Sequence, residues 1–198
     1  MPPIAPFLSP KHILREKLRA ERRSAAAVRP DAPRHAAKNF VEHIPVDAGT
    51  IVALYHPIKD ELDTAPLAEA LIERGARLAL PVAERTPAPL VFRAFAPGDA
   101  LIKGRHSIMV PRAESPALVP DIVVAPLLGF SRDGARLGYG GGYYDRTLKA
   151  LRAAGTVIAV GYGYGAQEVD ALPSSPLDET LDWIVTEREA IRAGKRTA

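Results

Sequence analysis

Cysteine is absent from the 198-residue sequence. Its absence excludes a disulfide framework, a thiol nucleophile and any thiolate-bound metal, and it suits a reducing compartment; a cytoplasmic protein is expected. Long apolar runs are missing as well. Nothing approaches the roughly 18 residues that a membrane-spanning helix needs, and the proline-rich opening at 1–10 lacks the apolar centre of a secretory signal. Charge is nearly balanced, with a formal net charge of +3 and a pI near 9.3. Such weak basicity permits nucleic-acid binding but equally suits an enzyme for polyanionic small molecules. The alternating aromatic and basic residues of a single-strand binder do not occur, so nucleic acid is the weaker expectation. Internal repeats and low-complexity segments are also lacking. What is present is ordinary: 47% hydrophobic and 25% charged residues, as in soluble globular chains. The length suits a single domain over 1–198 with a sizeable core, monomeric and frayed at 1–9 and 194–198.

One stretch stands apart. An apolar run at 122–128 reads as a buried strand, and a polar turn at 131–134 follows. Gly138, Gly140, Gly141 and Gly142 then open a helical pattern in which Tyr144, Leu148 and Leu151 recur and Gly155 is the stop. Glycines admit positive φ and close backbone approach, and a left-handed backbone is expected at Gly141. Successive N–H groups at a helix start form an anion-binding concavity. Arg136 adds a fixed positive charge suited to phosphate oxygens, and Asp145 in the first turn is a candidate magnesium ligand. Glycine content alone serves equally for a mobile turn, with Asp145 an ordinary first-turn carboxylate. The Arg, Tyr and Asp residues around it favour a site. The spacing matches neither the dinucleotide fingerprint nor the lysine-containing ATP loop.

Upstream, 11–28 reads as a helix with Ser9 as cap and Pro10 at its first position. Ile13, Leu14 and Leu18 form its apolar stripe. Lys11 and Arg15 share a face, and two cations at a helix start oppose its dipole unless an anion is near; a solvated basic face is the alternative. Arg19, Arg22 and Arg23 read as surface. A second helix is expected over 30–43, where His35 and His43 lack a third ligand and read as surface histidines. The strand 50–55 runs into a polar loop at 56–64, and ligands of open parallel sheets gather at such carboxyl ends. Glu61 by itself reads there as a first-turn charge. A helix over 64–74, capped by Thr64, ends at Gly75. Strands follow at 76–82 and 90–95, the latter an edge or hairpin element. The segment 98–120 reads as a long loop with short ordered pieces, with no role assigned to His106 or Arg112. A strand at 156–160 ends in a second glycine–tyrosine loop, 161–167, that suits a lid or a site equally. A last strand is expected at 181–186. Strands alternating with helices imply an α/β fold with a mainly parallel sheet and helices on both faces.

The run Gly129 to Arg146 resembles the signature of the 5-formyltetrahydrofolate cyclo-ligases, also called 5,10-methenyltetrahydrofolate synthetases, and similar features extend the resemblance from about Lys11 to Arg188. The family implies a three-layer α/β/α fold and ATP- and magnesium-dependent cyclisation of 5-formyltetrahydrofolate to 5,10-methenyltetrahydrofolate, releasing ADP and phosphate. By the same resemblance Lys11 and Arg15 contact the nucleotide, together with Arg136, Leu137, Gly138, Tyr139, Gly140, Gly141, Gly142, Tyr143 and Tyr144. Glu61 and Gln167 contact the folate, and Tyr143 and Tyr144 border both ligands. Asp145 and Asp178 hold magnesium. The chain departs from the family pattern at Ser131 and Leu177, where Asp and His are usual, and at Val110, where an acidic residue often precedes the proline. Those departures motivate one alternative, a relative that binds nucleotide without the folate reaction. The arginine-rich first helix motivates another, a basic nucleic-acid-binding protein.

Overall fold

The residues Ile-Val-Val-Ala at 122–125 are apolar on both sides of the backbone, so as a strand they need cover on both faces. They find it at the centre of an eight-stranded sheet. The computed structural model describes residues 10–173 and 175–194. Its elements in chain order are α1 (Pro10–Val28), α2 (Ala32–His43), β1 (Ile51–Ala53), α3 (Ala65–Glu73), β2 (Arg77–Val82), β3 (Val91–Phe95), β4 (Ile102–Lys103), β5 (Met109–Val110), β6 (Ala117–Leu118), β7 (Ile122–Pro126), β8 (Gly129–Phe130), β9 (Arg136–Leu137), α4 (Tyr143–Ala154), β10 (Ile158–Tyr162), β11 (Trp183–Val185) and β12 (Ala190–Arg192).

The large sheet runs β12-β11-β10-β7-β1-β2-β3-β6. Its inner part, from β11 to β2, is parallel throughout. Antiparallel strands close both margins: β12 on β11, and β3 then β6 on β2. Side chains alternate across a strand with period two, which divides the core into two layers. Ile122 and Val124 face Phe40 of α2 and Leu67 and Leu71 of α3. Val123 and Ala125 face the opposite layer, with Leu148 of α4. The expected α/β/α layering with a mainly parallel sheet is therefore the observed fold. Among the described residues no helix is long and apolar enough to cross a membrane.

Topology fixes where a ligand is accommodated. From β1 the chain passes through α3 to β2 on one side; from the adjacent β7 it passes through α4 to β10 on the other. Beyond the carboxyl ends of such a diverging pair a crevice opens.

Several local expectations are corrected and one is left untested. Ser9, proposed as the cap of α1, lies outside the described residues, as do 1–8, 174 and 195–198. Ile13 is exposed, and the buried positions of α1 are Leu18, Arg22 and Ala25. Thr64 sits at the start of α3 but does not cap it; its hydroxyl donates to the Tyr55 carbonyl at 3.0 Å. Of the two readings for 90–95 the hairpin holds, β3 pairing antiparallel with the preceding β2, and the edge does not, because β6 pairs outside it. The turn at 131–134 belongs to a hairpin, β8–β9, that displaces the glycine loop from β7, and Ala190–Arg192 add the further strand β12.

Candidate functional site

A cavity of about 600 Å³ occupies the crevice. Its walls come from the end of β7 (Pro126), the loop after β1 (Tyr55, His56, Ile58, Glu61), the start of α1 (Lys11, Arg15), and the stretch from Arg136 to Asp145. Segments far apart in sequence thus converge because β1 and β7 are neighbours and their onward connections diverge.

The glycine loop is held by its carbonyls. Arg15 donates from Nε to the Gly138 carbonyl at 2.9 Å, and Arg146 donates to the Gly141 carbonyl at 2.7 Å while stacking over Tyr143 at 5.3 Å. The first N–H groups of α4 have no partner within the helix, so an anion seated there meets donors and the positive end of the dipole. Left-handed backbone falls at Gly140 (φ 98°) and Gly142 (φ 64°). Gly141, where it was expected, is not left-handed; it is constrained instead by the Tyr143 ring 3.0 Å from where a Cβ would stand.

Arg136 is buried in the wall, stacked over Tyr144 at 5.3 Å and paired with Asp145 at 3.0 Å. Among the described residues its Nε has no hydrogen-bond partner. Asp145 also accepts, weakly, the Glu179 N–H at 3.3 Å. Asp178 is half-exposed, pairs with Lys11 at 3.4 Å and accepts the Ser175 N–H at 2.7 Å. Each candidate metal carboxylate therefore sits beside a candidate phosphate cation. Magnesium is bound by one or two carboxylates together with substrate phosphates, and Asp145 and Asp178 line one cavity. Among the described residues no group of three or more His, Cys, Asp or Glu forms a self-sufficient metal site. The donor set fits an ion that arrives on phosphate, not a resident structural metal.

The same cavity is lined by Glu61, 8% exposed. One carboxylate oxygen accepts the Tyr139 hydroxyl at 2.5 Å and the other accepts the Ile58 N–H at 2.9 Å. Burial pushes its pKa up, against the opposing pull of those two hydrogen bonds and of Arg22. Tyr143 is reached from the opposite wall: its hydroxyl bonds Thr86 at 2.6 Å, and His106 packs edge-on at 6.2 Å.

Gln167 is the one candidate residue that the cavity does not include. Its side chain is fully buried. The amide accepts from the Tyr164 N–H at 2.8 Å and donates to the carbonyls of Leu127 and Leu128 at 2.8 and 3.1 Å. Fully satisfied by backbone, it braces the 161–167 loop and is not presented to a ligand. Of the departures from the family pattern, Ser131 is buried and donates to Asp133 at 2.5 Å within the hairpin turn. Leu177 is 75% exposed, and Val110 is a buried apolar part of the cavity wall.

Sequence reasoning missed Arg22. Read as surface, it is 2% exposed and bonds Asp60 at 2.8 Å and Tyr139 at 2.5 Å. A signal existed: Lys11, Arg15, Leu18, Arg22 and Ala25 recur at three- and four-residue steps, one helical stripe. The inward cations of α1 are thus committed to carboxylates and to the glycine loop, while Lys17 and Arg19 pair with Glu21 and Glu16 on the outside. Most of the cations that motivated the nucleic-acid alternative thus have partners within the chain, while Arg23 remains exposed.

Comparison with known proteins bears on the family and the fold. A model of the 5-formyltetrahydrofolate cyclo-ligase family matches residues 8–187. The 5-formyltetrahydrofolate cyclo-ligase of Escherichia coli K12 is 36% identical over 156 residues, covering 76% of this chain and 85% of its own. That of Mycolicibacterium smegmatis is 31% identical over 194 residues, covering 92% and 96%. Among solved structures, the Aquifex aeolicus 5,10-methenyltetrahydrofolate synthetase superposes with a TM-score of 0.74 at 28% identity, covering 95% of each chain. The Mycoplasma pneumoniae 5,10-methenyltetrahydrofolate synthetase gives 0.70 at 25% identity, covering 90% of this chain and 99% of that one.

Proposed function

Because the chain belongs to the 5-formyltetrahydrofolate cyclo-ligase family, a family of ligases, we propose that it closes 5-formyltetrahydrofolate to 5,10-methenyltetrahydrofolate at the expense of ATP, with magnesium, releasing ADP and phosphate. The observation that carries this reading is the meeting of the glycine loop, Lys11, Arg15 and Arg136 with Asp145 and Asp178 around one cavity that also reaches Glu61.

The chemistry requires activation of an amide-like oxygen, which leaves poorly. The formyl oxygen attacks the γ-phosphorus; that O–P bond forms as the bond to ADP breaks. N10 then adds to the formyl carbon and loses its proton, and the oxygen departs with phosphate. Little covalent work falls to the protein, whose part is alignment and neutralisation of charge. Lys11, Arg15 and the amides at the start of α4 hold the triphosphate, with Arg136 fixed behind them. Asp145 and Asp178 are the carboxylates that would hold magnesium, and the ion would supply neutralisation of charge on the phosphate. Glu61 faces the folate, and Tyr143 and Tyr144 wall the junction between the two ligands. Excluding water from this junction keeps the activated oxygen from hydrolysis.

Purified protein given magnesium, ATP and 5-formyltetrahydrofolate should form the methenyl product with one ADP and one phosphate per turnover. Asp145→Asn should lower turnover by about 100-fold or more while equilibrium binding of the folate survives. A wild type that binds ATP and forms no methenyl product would overturn the reaction in favour of a nucleotide-binding relative.

A further inference from the structure

Tyr139 belongs to the glycine loop, yet its hydroxyl is not left for a ligand. It donates to Glu61 at 2.5 Å and accepts from Arg22 at 2.5 Å. Arg22 in turn bonds Asp60 at 2.8 Å and lies 3.6 Å from Glu61. The guanidinium groups of Arg19 and Arg22 sit 5.9 and 5.7 Å from the centre of the Tyr139 ring. A single phenol thus joins three segments that share no local contact in sequence: α1, the loop after β1, and the glycine loop. The glycine loop has other tethers, from Arg15 and Arg146, but both grasp its backbone carbonyls. Tyr139 supplies the one tether here made by a side chain of the loop itself. A stretch with four glycines in five positions has unusual conformational freedom to lose on ordering, so a charge-assisted anchor at its second residue has a large effect.

We propose that Tyr139 is a positioning residue: its hydroxyl, clamped between Glu61 and Arg22, holds the glycine loop against the loop after β1, so that the phosphate end and the Glu61 end of the cavity are ordered together. As applied to ligands this rests on the function proposed above, in which the glycine loop receives triphosphate. The anchor itself does not.

The test uses Tyr139→Phe, which keeps the ring near the guanidinium groups of Arg19 and Arg22 and removes only the hydroxyl. In protein labelled with 15N-glycine and free of ligand, backbone order parameters of Gly138, Gly140, Gly141 and Gly142 are measured. They should fall from about 0.85 toward 0.6 or below, while glycines of the 161–165 loop stay rigid. In binding and turnover, Kd and KM for ATP should rise about tenfold, with kcat within about threefold. Glu61→Gln keeps an acceptor for the hydroxyl and should keep the loop ordered; Glu61→Ala should reproduce the disorder of Tyr139→Phe. Unchanged order parameters in Tyr139→Phe overturn the proposal, as does equal loop order in Glu61→Gln and Glu61→Ala. If the wild type binds no ATP, the functional reading falls, and the order parameters alone still decide the anchor.

Discussion

Two loops in this molecule look alike in sequence and do opposite things. Gly138-Tyr139-Gly140-Gly141-Gly142 and Gly161-Tyr162-Gly163-Tyr164-Gly165 both interleave glycine with tyrosine near the carboxyl end of the sheet. The first borders the cavity, and two of its glycines are left-handed. The second is buried from end to end, and none of its glycines has positive φ. There, glycine provides space. A Cβ at Gly161 would stand 2.5 Å from Leu181, one at Gly163 2.8 Å from the Gln167 amide oxygen, and one at Gly165 2.6 Å from Arg188. Glycine therefore marks a site only where its conformational freedom is used on an open face; where it merely admits neighbours, it marks packing.

The comparison is broken most severely by removing what fills the second loop. Gln167→Leu leaves the Tyr164 N–H and the Leu127 and Leu128 carbonyls without their partner. At 1–3 kcal/mol for each buried polar group left unpaired, stability should fall by about 4 kcal/mol, read as a lowered melting temperature and denaturant midpoint. A stable variant that fails only in folate affinity would return Gln167 to the substrate. The glycines give a reciprocal pair of smaller effects. Gly140→Val forces a β-branched residue to φ 98° with Arg15 3.2 Å from its Cβ. Turnover should drop by about 100-fold, roughly 2.7 kcal/mol in the barrier, with the melting temperature nearly kept. Gly163→Ala, crowded by Gln167 and Leu127 at 2.8 and 2.9 Å, should instead cost about 1–3 kcal/mol of stability by overpacking. Swapped outcomes, with Gly140 governing stability and Gly163 governing turnover, would reverse the assignment of the two loops.

Much of this was legible beforehand. The apolar run at 122–128, the helix opened by glycine, and the gathering of loops at strand ends all follow from local pattern and from the topology of parallel sheets. What local pattern misses is what a side chain meets across the fold. The family resemblance gives Gln167 to the folate, but its partners in the fold lie 39 and 40 residues back in the chain. Arg22 was assigned to solvent because arginine usually is, yet its partners stand 38 and 117 residues away. Its periodicity with Lys11, Arg15 and Leu18 was visible, but periodicity alone does not say that carboxylates wait opposite. The β8–β9 hairpin escaped because two-residue strands carry almost no signal beyond their turn.

The smallest expected effect sharpens the comparison through its chemistry. The filled loop is braced by the neutral Gln167 amide, with the Glu187 carboxylate accepting the Gly165 N–H at its end, whereas the open loop is anchored through Tyr139 on the buried Glu61, so removing the Glu61 titration bears on the open loop alone. Burial raises the pKa of Glu61 above its ordinary value of 4.5, and the groups facing it do not cancel that: Tyr139 and the Ile58 N–H lower it, Arg22 lowers it, and Asp60 raises it further. A carboxyl raised in the folded state binds its proton more tightly there than in the unfolded chain. Its favourable contribution is complete below 4.5 and is lost as pH rises through the raised value. Glu61→Gln removes that titration while keeping the shape and an acceptor for Tyr139. The melting temperature of the variant minus that of the wild type should therefore increase as pH is taken from about 4 upward to neutrality. The same difference for a Gln167 variant should show no such rise. A difference that stays flat or falls for Glu61→Gln would mean that Arg22 and Tyr139 together stabilise the charged carboxylate more than burial opposes it, and the anchor would then be an ion pair first and a hydrogen bond second.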